Sequence, residues 1–123
     1  VDYGHIGVFR RREDFAALYR EAGCHPHVLD MHQGGNAEIE FRDDDHVVAL
    51  WSLDYRNINT REKTVTFLCV KYHDEYRRVG GEWKITGSRT EYRQALHCSY
   101  ATGMLQALLA ARSVAETMKA QDG

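Results

Sequence analysis

Three histidines fall inside one short stretch, "HPHVLDMH", at His25, His27 and His32. Metal binding is the first chemistry such a cluster suggests. Zinc sites draw their ligands from HExxH or paired Cys/His spacings, and neither pattern occurs here, so no metal site is expected. His32 carries a sharper possibility. It precedes Gly34 and Gly35, where backbone can approach closely, and Asn36 then opens an alternating pattern. A neutral imidazole is the common general base near pH 7. Taken alone, a single histidine in a connecting segment is more often inert, because catalysis needs partner geometry that spacing does not reveal.

Other side chains could serve the same chemistry. Tyr55 and Tyr72 fall on the apolar phases of long strand patterns, where they are either large core residues or pocket walls offering a hydroxyl. Asp74 shares the phase of Tyr72 and needs solvent or a partner. Arg89 shares the phase of Trp83 and Ile85 if no bulge intervenes; once buried it must meet an acid, an anion or a carbonyl group. No nucleophile elbow, phosphate loop or dinucleotide fingerprint is present. "RVGGEW" has strand patterns on both sides and is a hairpin rather than a phosphate cradle.

These residues need a scaffold. A chain of 123 residues suits one domain, residues 1–123, with a core that needs no staples. The formal net charge of -2 offers no electrostatic case for nucleic acid or an anionic membrane, and no apolar run has the length of a membrane helix. Cys24, Cys69 and Cys98 are odd in number and widely spaced, a usage that fits a reducing cytosol, and no signal peptide is visible; a cytoplasmic protein is expected. Cys69 reads as a small core residue.

The periodicities divide the chain clearly. "VDYGHIGVF" at the start has a strand phase, and the absence of anything before it suggests an upstream segment. "REDFAALYREAG" is a helix, with Phe15, Leu18, Tyr19 and Ala22 on one stripe and Gly23 as a stop. Residues 27–31 allow a helical turn before a strand begins at "NAEIEF". Two long strands follow, with Val47, Ala49, Trp51, Leu53 and Tyr55 on one face of the first and Leu68, Val70, Tyr72 and Asp74 on one face of the second. "VGGE" makes a tight turn into "WKITGSRTEY". An apolar stripe of Met104, Leu108, Ala111, Ala115 and Met118 predicts a helix over 102–120. Strand, helix, long antiparallel strands, helix: the order predicts an α+β fold with a curved, mostly antiparallel sheet covered on one side.

Several stretches are similar to one known group. "YHDEYRRVGGEWKITGSR" resembles the Tyr-x-Asp to Gly-x-Trp-x-Ile hairpin of SnoaL-like proteins in the nuclear-transport-factor-two-like superfamily. "MHQGGNAEIEF" resembles the His-x-x-x-Asn approach to a strand in that group, "DDDHVVALWSLDY" its next strand, and "GVFRRREDFAALYREAG" the segment before the histidine; together the resemblance spans about residues 1–95. It is strongest toward the scytalone dehydratase and hexachlorocyclohexane dehydrochlorinase branch.

The resemblance implies a cone-like half barrel, a cystatin-like roll, with an apolar pocket inside. It implies a cofactor-independent lyase or isomerase of the dehydratase or dehydrohalogenase type, in which His32 takes a carbon-bound proton from a largely apolar, aromatic or cyclic compound. Leu53, Tyr55, Leu68 and Tyr72 match pocket positions. Arg89 lies next to a family arginine position, with Ser88 in direct register, and His27 is counted with the substrate-binding set. A homodimer or higher homo-oligomer is the family-like expectation. The aspartate that partners the base in that family sits on a helix upstream of the first strand, and no residue here matches it. A non-catalytic small-ligand-binding or dimerisation module is the alternative.

Overall fold

The computed structural model describes residues 1–102. After a short 3-10 turn at Gly4–Ile6 come a helix α1 (Arg12–Gly23) and four strands, β1 (Val28–Asp43), β2 (His46–Asn59), β3 (Thr64–Val79) and β4 (Glu82–Ser99). The strands form one antiparallel sheet in the order β1-β2-β3-β4. The helix predicted over 102–120 lies outside the described residues.

Register explains how the sheet builds its inner face, the side on which α1 lies. The β2–β3 ladder runs unbroken from His46↔Arg77 to Asn59↔Thr64. With the outer ladders it stacks side chains into transverse rows: Asp30, Asn57, Thr66 and His97; His32, Tyr55, Leu68 and Ala95; Gly34, Leu53, Val70 and Tyr92. Because strand side chains alternate, every member of a row points to the same face. Val47, Ala49, Leu53 and Val70 are buried along this inner phase.

Four sequence expectations change. β1 begins at Val28 rather than Asn36, so neither a helical turn at 27–31 nor a loop around His32 forms. Residues 28–35 pair continuously with the far half of β2, and the Gly-Gly-Asn stretch is absorbed as a bulge between Gly35 and Glu38, with Asn36 at φ 49°. Residues 1–9 are not a strand. They fold back through the 3-10 turn, bridging only Asp2 to Val8 and to Arg89. Gly4 permits that fold: its φ is 62°, and a Cβ there would stand 2.8 Å from the Tyr92 ring.

The third change concerns Arg89. The β3–β4 register slips between Glu75 and Tyr76, which puts Ser88 opposite Asp74 and Thr90 opposite Tyr72. A one-residue slip moves every later side chain to the other face. Arg89 is therefore exposed on the outer face, opposite His73, while Ser88 and Thr90 take the inner one. Cys69 is likewise exposed rather than in the core, because its phase is the outer one. That face is otherwise polar here: His73 Nε2 and Arg93 Nη1 lie 2.7 and 2.8 Å from the two Glu91 oxygens and hold its carboxyl down at about 2. The "VGGE" turn forms as expected, with Gly80 and Gly81 at φ 60° and 81°.

Candidate functional site

The inner face carries three contiguous hollows. One of about 200 Å³ has His32, Leu53, Tyr55, Leu68 and Tyr72 in its walls. Through Tyr3, His32, Tyr72 and Thr90 it meets a second of about 400 Å³. Through Tyr3, Tyr55 and Thr66 it meets a third of about 290 Å³ under α1. Two more open hollows, about 410 Å³ around Leu50 and Glu75 and about 500 Å³ beside the Gly35 bulge, contain neither His32 nor Tyr55. The β1–β2 register gathers the first set, since His32 is the direct partner of Tyr55 and Tyr55 the partner of Leu68. His27 and Arg89 line none of these three inner hollows: the His27 ring stacks on His25 at 5.3 Å, and Arg89 is on the far face.

His32 itself is exposed, with its ring centroid 4.8 Å from that of Tyr55 and tilted 57° to it. Among the described residues its ring makes no hydrogen bond. Tyr55 turns its hydroxyl away, donating to Asp30 Oδ1 at 2.7 Å, and Asn57 Nδ2 donates to the same oxygen at 2.6 Å. Burial first, then the bond to Asp30, pushes the Tyr55 phenol far above its ordinary 10. Tyr55 thus touches both β1 neighbours, Asp30 through its hydroxyl and His32 through its ring.

A second polar cluster closes the other end. Ser88 Oγ and Tyr76 Oη donate to the two oxygens of Asp74 at 2.6 and 3.0 Å, and Trp51 Nε1 donates to Tyr76 Oη at 3.1 Å. The partner that Asp74 required is therefore a pair of hydroxyls. Between the clusters, burial pushes the Tyr72 phenol up to about 12, helped by the nearby tyrosines and Asp74. An alkaline absorbance titration of wild type minus Tyr72→Phe should show one phenol ionising near pH 12; a difference transition near 10 would place Tyr72 in water.

Asp30, Tyr3 and Thr90 did not stand out in the sequence, whereas Tyr19 falls on the apolar stripe of α1. Asp30 is two residues before His32, so period-two alternation puts it on the same face once the strand is read back to Val28. Tyr3 and Thr90 depend on the N-terminal fold-back and on the β4 bulge, neither of which has a local signal. Among the described residues, no three His, Cys, Asp or Glu side chains gather into a group that could hold a metal ion, and no helix is long and apolar enough to cross a membrane.

Residues 1–89 match the family model described as the SnoaL-like domain. Among solved structures, a hexachlorocyclohexane dehydrochlorinase of type 2 is 19% identical with a TM-score of 0.71, covering 87% of this chain and 70% of its own. A provisionally named scytalone dehydratase from Novosphingobium aromaticivorans DSM 12444 is 18% identical with a TM-score of 0.52, covering 69% of this chain. The chain spans 52% of that dehydratase's length. No curated protein matches. Identities this low speak for the architecture, a curved antiparallel sheet with helix in the α+β cone arrangement, and not for an activity.

Proposed function

This chain belongs to the SnoaL-like domain family, and from that premise we propose that it is a small-molecule pocket protein of the lyase or isomerase type. The carrying observation is that His32, Leu53, Tyr55, Leu68 and Tyr72 share one hollow. In the reaction, the His32 imidazole takes a proton from a ring carbon. The C–H electron pair becomes a C=C bond, and the leaving group departs from the adjacent carbon with its own pair. The imidazolium that forms lies beside Tyr55 and in the field of Asp30. Leu53 and Leu68 give the ring apolar walls.

A binding module without catalysis is the second reading, and a specific observation favours it. Asp30 Oδ1 is already engaged by Tyr55 and Asn57, and among the described residues no carboxylate is hydrogen-bonded to the His32 ring. Exposed apolar residues on the sheet, such as Ile39, Phe41 and Ile85 at 56, 68 and 64% exposure, would suit a second copy.

The pocket is tested by a thermal-shift screen of small ring ketones, alcohols and halides. A binder at 100 times its Kd should stabilise the chain by about 2.7 kcal/mol, and filling the hollow by Leu68→Trp should abolish the shift. Ligands that raise the Tm of Leu68→Trp as much as that of wild type would place binding elsewhere. Elimination product formed from any binder then separates the enzyme from the module.

A further inference from the structure

The 400 Å³ hollow has a polar character that its apolar walls do not require. Thr90 is 7% exposed, and its Oγ1 is buried with no hydrogen-bond partner among the described residues. Tyr72, its direct cross-strand partner, also makes no side-chain hydrogen bond among the described residues. Both line this hollow together with Asp74 and Ser88. A buried hydroxyl without a partner costs free energy, so its retention on an inner wall points to something that completes it.

Charge narrows what that is. Among the described residues, the hollow of about 400 Å³ has Asp74 in its wall and neither lysine nor arginine; Val1 also lines it, and its terminal ammonium donates to the Phe9 carbonyl. Asp30 lines the neighbouring hollow under α1. Neither aspartate has a salt-bridge partner among the described residues. Arg89, between Ser88 and Thr90 in sequence, is turned to the outer face by the β4 bulge. An anion would enter this hollow facing the Asp74 carboxylate, whereas a cation would meet it together with Tyr3, Phe15, Tyr19 and Tyr72. Tyr3, Tyr19, Tyr55 and Tyr72 are all pushed up, by burial first and then with an aspartate or other phenols contributing, which agrees with a negative interior.

We propose that this end of the cavity takes a protonated amine borne on a small apolar ring, with Asp74 as counter-charge and the Thr90 and Tyr72 hydroxyl oxygens accepting its N–H groups. The ring lies against Phe15 and Tyr19. This deepens the pocket reading above but does not depend on proton abstraction by His32.

The test is a matched series on the full chain at neutral pH, followed by calorimetry or amide chemical shifts: benzylamine as cation, benzyl alcohol as neutral, benzoate as anion. Benzylamine should bind roughly tenfold more tightly than benzyl alcohol, and benzoate more weakly than both. Asp74→Asn, which can still accept from Ser88 or Tyr76, should erase the preference for the cation. Thr90→Val should weaken benzylamine several-fold while Thr90→Ser retains it; a hydroxyl that holds only water would leave Thr90→Val unchanged and overturn its role. Equal binding of the three probes, benzoate binding best, no binding at all, or a preference that survives Asp74→Asn each overturns the inference. If Asp74→Asn fails to fold, the wild-type series and the two Thr90 variants decide it. Repeating the series in His32→Ala separates the two readings: a preference intact there, without turnover in wild type, removes catalysis alone.

Discussion

His32→Ala should lower proton abstraction from a bound substrate by about 10²- to 10⁴-fold, the usual contribution of a positioned general base. The measurement is loss of deuterium from a carbon-labelled substrate, or elimination product formed under single-turnover conditions. Stability should change by less than about 0.5 kcal/mol, because the ring is exposed and makes no hydrogen bond among the described residues. The two readouts together isolate chemistry from folding. Ligand affinity should fall only slightly, since Leu53, Leu68 and Tyr72 still wall the hollow. A variant that turns over at the wild-type rate removes His32 from the mechanism and leaves the binding-module reading in possession of the site.

The legibility of this protein divides along physical lines. Alternation over β2 and β3 was readable strand by strand, pairing Leu53 with Tyr55 and Leu68 with Tyr72; that the two pairs share one side was implied only by the resemblance, and the β2–β3 ladder is what brings them together. Gly80 and Gly81 announced their turn. The bulges were not readable, and they decide the polar residues. Without the slip at Thr86, Arg89 would share the inner face with Trp83; with it, Ser88 and Thr90 do. The bulge at Asn36 had a similar effect on β1. Glycines that suggested a loop instead mark a bulge in the middle of a sixteen-residue strand, and this put His32 inside the sheet and brought Asp30 onto its face. Strand extension is a pairing decision. The partner residues Asn57 and Tyr55 are some twenty-five positions away, beyond the reach of any local pattern.

Asp30 offers the sharper experiment, because its two substitutions should part company. Asp30→Ala removes the acceptor that Tyr55 Oη and Asn57 Nδ2 share among the described residues, and both donors are half-buried. Stranding them should cost about 2–3 kcal/mol, a large share of the roughly 5–15 kcal/mol that holds a small domain together. The urea midpoint should drop at unchanged slope. Asp30→Asn keeps a side-chain oxygen for both donors and should cost about 1 kcal/mol or less. It nevertheless removes the charge. The Tyr55 phenol should then ionise at lower pH than in wild type, though burial, its first cause, still holds it up. In the enzyme reading, the imidazolium at His32 also loses a negative neighbour two residues away along β1, and abstraction should slow. Asp30→Asn that destabilises as much as Asp30→Ala would show the charge itself to be structural. Asp30→Asn that folds normally and reacts at the wild-type rate would show that the carboxylate positions Tyr55 and contributes nothing to the base.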